Sequence, residues 1–256
     1  MKSAILFSLL TVTCFLYSNA QSVSPATDGL FRLYSDSASL TRDAAPMVAD
    51  FNNRVNRIRP EPDFNVGFIV YTTPAMVYYA PKSKNVVTSL YHELTDDHKA
   101  FFNTYSDNEE DARLFFAVFF NGFYIAHELG HGLVAAYSLS DPEAMYREEY
   151  DVNMIAMNYW NSVGKADELE KCYKFAKAFL AKVPDPVPQG TEDRIAWFNE
   201  HYWELGPQPE KYGYFQFSQF VDIYENQKRV HIDEYLETYI SQLEERAKQK
   251  INTNEE

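Results

Sequence analysis

The sequence predicts an α+β fold: a small, mostly antiparallel sheet beside one long apolar helix, followed by a helical carboxy-terminal half. Three observations predict it. Between Phe64 and Tyr91 the apolar residues come in short runs separated by turn residues, as strands do. From Asn108 to Ser138 they recur with a helical period. From Tyr146 to Lys250, amphipathic segments alternate with loops carrying proline and glycine.

Taken in order, the chain begins with Lys2, an apolar segment from Ala4 to Tyr17, and Ser18-Asn19-Ala20, the pattern that signal peptidase cleaves. Residues 1–20 are therefore expected to be a signal peptide, with Gln21 starting a mature chain that is exported to the periplasm or secreted. Gln21 to Asp36 is polar and turn-rich. A helix from Leu40 to Ile58 places Met47, Phe51, Val55 and Ile58 on one face and stops at Arg59-Pro60-Glu61-Pro62. Phe64–Thr72, Ala75–Ala80 and Val86–Tyr91 are the strand candidates, the last two joined by a turn at Pro81-Lys82-Ser83-Lys84-Asn85.

Thr95 to Tyr105 reads as a short helix. The long helix follows, with Asp107 or Asn108 as N-cap and Glu109, Glu110 and Asp111 suited to the positive end of the helix dipole. Further helices are expected at Tyr146–Ser162, Lys165–Lys182, Thr191–Leu205, Phe217–Asn226 and His231–Lys250, with a frayed end from Asn252 to Glu256. Residues 21–256 read as one domain with its chemical core at about 64–162.

The net charge of −14 becomes one unit more negative when Lys2 leaves with the leader. Such a chain repels nucleic acid and anionic membrane surfaces, and neither is expected as a partner. Of the two cysteines, Cys14 lies in the leader, so the mature chain keeps only Cys172 and no internal disulfide. No membrane span is expected in the mature chain, because two histidines and a glutamate at the centre of its most apolar run would be costly in lipid.

That run carries the motif His127-Glu128-Leu129-Gly130-His131. Histidines at i and i+4 on a helix stack on one face and can bind one metal ion. Arg113, Phe116, Ala117, Phe120, Tyr124, His127, His131 and Ala135 share one stripe of an uninterrupted helix. Imidazole suits zinc, a catalytic zinc keeps three protein ligands and an open position for water, and Glu128 is placed to be that water's general base. The best third ligand is Glu149, on the next helix, with Asn153 one turn beyond to hydrogen-bond a ligand histidine's far nitrogen. Glu148 lies on an apolar stripe as well, so helical phase alone does not separate it from Glu149. His92, His98, His201 and His231 are isolated. Tyr150, Tyr159, Tyr202, Tyr212 and Tyr214 are equal candidates for stabilising an oxyanion. His201-Tyr202-Trp203 with Tyr212, Tyr214, Phe215 and Phe217 reads as core packing or as an apolar cleft lining.

His127-Glu128-Leu129-Gly130-His131 followed by Glu149-x-Asp151-Val152-Asn153-x-x-Ala156 resembles the two motifs of zinc peptidases of gluzincin type. The stretch from Phe64 to Ala156, including Tyr78-Tyr79, Tyr91-His92-Glu93-Leu94 and Arg147-Glu148-Glu149, looks like a family of exported bacterial metallopeptidases. The resemblance implies a zincin-like fold, one zinc ion held by His127, His131 and Glu149, and Glu128 as base; the family-like spacing tips the third ligand to Glu149. Asp151 and Asn153 depart from the pattern, where Glu and Asp are commoner. The function this implies is zinc-dependent hydrolysis of peptide bonds in a peptide or protein substrate. The alternative is an exported, non-catalytic binding protein that keeps the scaffold.

Overall fold

The structure, a computed structural model, describes residues 29–71 and 75–254. The expected signal peptide lies outside the described residues. Nine α-helices are found among the described residues: α1 (Ser37–Ile58), α2 (Asp96–Tyr105), α3 (Glu109–Val118), α4 (Tyr124–Ala136), α5 (Met145–Ser162), α6 (Ala166–Lys182), α7 (Arg194–Leu205), α8 (Pro209–Asn226) and α9 (Ile232–Asn254). Three four-residue strands, β1 (Gly67–Val70), β2 (Val77–Ala80) and β3 (Asn85–Thr88), complete it. The fold is thus mainly helical, which corrects the α+β, zincin-like class read from the sequence, and no finding shows a zincin fold.

The sheet is also mixed rather than mostly antiparallel. The turn at Pro81–Lys84 does make a hairpin, pairing β2 antiparallel to β3. β1, however, enters on the far side of β3 and pairs with it in parallel, giving the order β1-β3-β2. Apolar runs report burial but not strand direction, so the sequence could not separate these two arrangements. Only β3 is well buried, and the helices supply most of the core.

Side-chain caps set several helix starts. Asp36 accepts from the Ser39 amide, Thr95 from that of His98, Asn108 from that of Asp111, and Asp193 from those of Ile195 and Ala196. Asp193 explains why α7 begins at Arg194 rather than Thr191. Pro209 in the first turn of α8 explains why that helix starts well before Phe217, since proline's missing amide costs nothing there.

The expected long helix is broken in the middle. Between α3 and α4 lies a single π-helical turn, Phe119–Phe123, with Asn121 at φ −104° and ψ 19°. Its carbonyls take bonds from outside the helix: the Thr88 hydroxyl donates to the Phe120 carbonyl (2.9 Å) and the Phe31 amide to the Asn121 carbonyl (3.0 Å). The Phe31 ring packs directly on Gly122, where any β-carbon would collide with it. The extra residue rotates α4 against α3 by about 100°. One stripe therefore cannot run the whole length. Arg113 projects to the surface over the Tyr91 ring, while Phe120, Tyr124, His127 and His131 turn into a cleft.

α4 and α5 cross closely because Gly130 has no side chain; a β-carbon there would sit 2.9 Å from two carbons of Val152. The main core is dense in phenylalanine, with Phe102, Phe115, Phe116, Phe119 and Phe123 buried, each contributing roughly 1.5–3 kcal/mol on burial. A smaller cluster of Met145, Val187, Phe198, Leu205 and Phe215 fastens α7 over the start of α5. α9 is tied to α1 by Arg54 and Arg57, both paired with Asp233.

Candidate metal centre

His127 and His131 stand one turn apart on α4, and both rings turn their Nε2 atoms inward, 3.2 Å from each other. The facing helix α5 brings the Glu149 Oε2 to 3.3 Å from His127 Nε2 and 3.6 Å from His131 Nε2. Tetrahedral ligands at bond lengths of about 2.0–2.1 Å are separated from one another by roughly 3.3–3.4 Å. The three atoms match those edges, so His127, His131 and Glu149 form a group that could hold a metal ion. Glu149 is 1% exposed and His127 3%, and a buried carboxylate against two imidazoles is what a metal ligand set requires.

Each of the three is oriented by a partner. Asn153, also on α5, accepts from His127 Nδ1 (2.9 Å), as the sequence suggested. Glu148 accepts from His131 Nδ1 (2.8 Å). Adjacent residues on α5 thus serve the same histidine from opposite sides, Glu149 facing Nε2 and Glu148 facing Nδ1. Glu149 is itself held from three directions: Tyr202 and Tyr212 donate to Oε1 (2.9 Å each) and Gln216 donates to Oε2 (2.7 Å).

These contacts shift the acidities of the group. Burial alone would push the Glu149 carboxyl up, yet the charges and hydrogen bonds of His131 and His127 hold it well below the usual carboxylate range. Conversely, burial would lower His131, but Glu149 and Glu148 keep it well above its ordinary value. Glu128 differs: burial raises it, only partly offset by His127 and His131. Tyr79 of β2 lines the same cleft.

His127, Glu128, His131 and Glu149 all open on a cleft of about 1160 Å³. Tyr78 and Tyr79 of β2 form one wall and Tyr202, Trp203 and Tyr212 of α7 and α8 another, with Phe120, Tyr124 and Phe217 deeper. The aromatic run therefore divides: Tyr202, Trp203, Tyr212 and Phe217 line the cleft, whereas Phe215 lies in the smaller core cluster. Of the oxyanion candidates, Tyr202 and Tyr212 reach the centre. Tyr150 and Tyr159 bond instead to Asp222 and Asp50. Among the isolated histidines, His98 lines the cleft, His201 stacks on Trp197, and His92 and His231 are exposed.

Sequence reasoning missed Glu148 as an orienting group and did not read Gln216 or Gln219 at all. The signal was there: two amides at i and i+3 on the otherwise apolar face Phe217, Phe220, Val221. No protein-family model, characterised protein or solved structure matches this chain, so what the centre does is read from its own atoms.

Proposed function

We propose that this protein is an exported zinc-dependent peptidase whose centre is His127, His131 and Glu149, with Glu128 as general base. The observation that carries the reading is the position of Glu128: a buried carboxylate between two histidines that share a third ligand, opening on the same large cleft as all three. A structural metal site has no use for such a group, because its own ligands fill the coordination shell.

When bound, zinc supplies a Lewis acid and a water acidified toward neutral pH. The chain's residues do the rest. Asn153 and Glu148 hold the two imidazoles with Nδ1 protonated, leaving each Nε2 lone pair free to bind metal. Glu128, its pKa raised by burial, takes the proton of the attacking water on its carboxylate and delivers it to the leaving amine. The cleft is large enough for several residues of a peptide, and its aromatic walls suit side chains rather than bare backbone. Zinc is favoured over harder ions by a set of two imidazoles and one carboxylate. The leader pattern at residues 1–20 supports export.

The test is to load the mature chain with zinc and present a peptide library beside Glu128→Gln. Cleavage by the wild type and none by the variant, with zinc still bound to both, is expected. Cleavage that persists in the variant would refute the role of Glu128.

A further inference from the structure

We infer that Gln216 and Gln219, two buried amides on α8, fix the proton of His127 at Nδ1 and so hold its Nε2 lone pair toward the metal. This rests on the metal reading above and adds positioning residues to it.

The inference follows from which groups can only accept a hydrogen bond. Gln219 Nε2 lies 3.0 Å from the backbone carbonyl of Tyr146, a group with no proton to give. Gln219 must therefore turn its NH2 to that carbonyl and its Oε1 the other way, where it meets Asn153 Nδ2 at 3.1 Å. Gln216 is oriented independently. Its NH2 lies 2.7 Å from the Glu149 carboxylate and 3.0 Å from the Tyr212 hydroxyl, which itself donates to Glu149, so its Oε1 is left to face Asn153 Nδ2 at 3.3 Å.

Both glutamines thus present oxygen to the same amide, and both ask Asn153 for hydrogen. With its NH2 committed twice, Asn153 can offer His127 only its oxygen, 2.9 Å from Nδ1. An imidazole facing an acceptor at Nδ1 keeps its proton there, and its Nε2 is then free to bind metal. Turned the other way, the Asn153 amide would favour the tautomer protonated at Nε2, which cannot ligate.

The network has little freedom to reverse. Gln219, Asn153, Glu149 and Gln216 are 2%, 1%, 1% and 4% exposed, so water cannot replace a lost partner. Gln216 also joins two ligands, holding Glu149 directly and His127 through Asn153. Tyr212, Gln216 and Gln219 follow one another at i, i+4 and i+7, one face of α8. A single helix thereby sets the geometry of two ligands that lie on two others.

The test uses zinc-loaded mature protein and two readouts: the zinc dissociation constant by chelator competition, and solvent exchange of the His127 Nδ1 proton in 1H–15N spectra. In the wild type that proton is expected to be protected. The double variant Gln216→Met/Gln219→Met should lose the protection and bind zinc about 10- to 100-fold more weakly. Adding Asn153→Asp to the double variant should restore the protection, because a carboxylate accepts whichever way it turns, whereas the affinity lost through Glu149, which Gln216 holds directly, stays lost. Packing by the glutamines would not be repaired that way, so failure of the rescue overturns the inference. Tight zinc binding and a protected proton in the double variant overturn it as well. If the double variant does not fold, the single variants decide: each keeps one anchor, so exchange should quicken, and unchanged exchange in both counts against the inference. A wild type that binds no zinc refutes the metal reading, and this inference with it.

Discussion

Removing Glu148 tests whether the orientation of His131 matters to metal binding. From the sequence alone, Glu148→Ala is expected to cost little, because Glu149 is the ligand and Glu148 its neighbour. The structure changes that expectation: the Glu148 Oε1 lies 2.8 Å from His131 Nδ1, with only 11% of the Glu148 side chain and 16% of the His131 side chain exposed. A hydrogen bond to a charged group in such a setting is worth about 1.5–3 kcal/mol. At about 1.4 kcal/mol per tenfold, zinc affinity should fall roughly 10- to 150-fold in Glu148→Ala. Glu148→Gln keeps an acceptor without the charge and should fall between the variant and the wild type. Chelator competition at fixed pH gives the constants, and melting of the metal-free proteins shows whether the fold is intact. An unaltered zinc affinity in a well-folded Glu148→Ala would refute the reasoning.

Gly130→Ala should destabilise the protein by about 1–3 kcal/mol in denaturant unfolding, since the new methyl meets Val152 at 2.9 Å and forces α4 from α5. Removing metal with a chelator should lower the melting temperature and re-adding zinc restore it; at 100 times the dissociation constant the stabilisation is about 2.7 kcal/mol. Burial, aided by Asp222 and Glu210 respectively, raises Tyr150 and Tyr105 to about 12. Because these folded-state values exceed the unfolded one, the stability they contribute is complete below pH 10 and is lost as pH rises through 12. Absorbance near 295 nm should show both phenols ionising late, and early ionisation in the folded protein would contradict the burial.

Much of the centre was legible in the sequence because its residues lie close together on two helices. His127, Glu128 and His131 carry their geometry in their spacing, and Asn153 could be placed one turn from Glu149 for the same reason. Helix existence was legible from periodicity, including α5 and α6 to within a residue at each end. Three features were not. The π turn at Phe119–Phe123 depends on Phe31 and Thr88, which are distant in sequence, so no local pattern announced it. The parallel pairing of β1 with β3 depends on chain path rather than on apolar pattern. The support from Tyr202, Tyr212, Gln216 and Gln219 depends on α7 and α8 folding back over α5, and spacing within one helix says nothing of which helix it will face.

The most direct test of the account is the coordination of the metal itself. Zinc-edge X-ray absorption on the protein as purified should show one zinc per chain, with two imidazole nitrogens, one carboxylate oxygen and one further light atom, and the signal should vanish in Glu149→Ala. A chain that retains no stoichiometric metal, or one whose metal keeps the same coordination in Glu149→Ala, would contradict it.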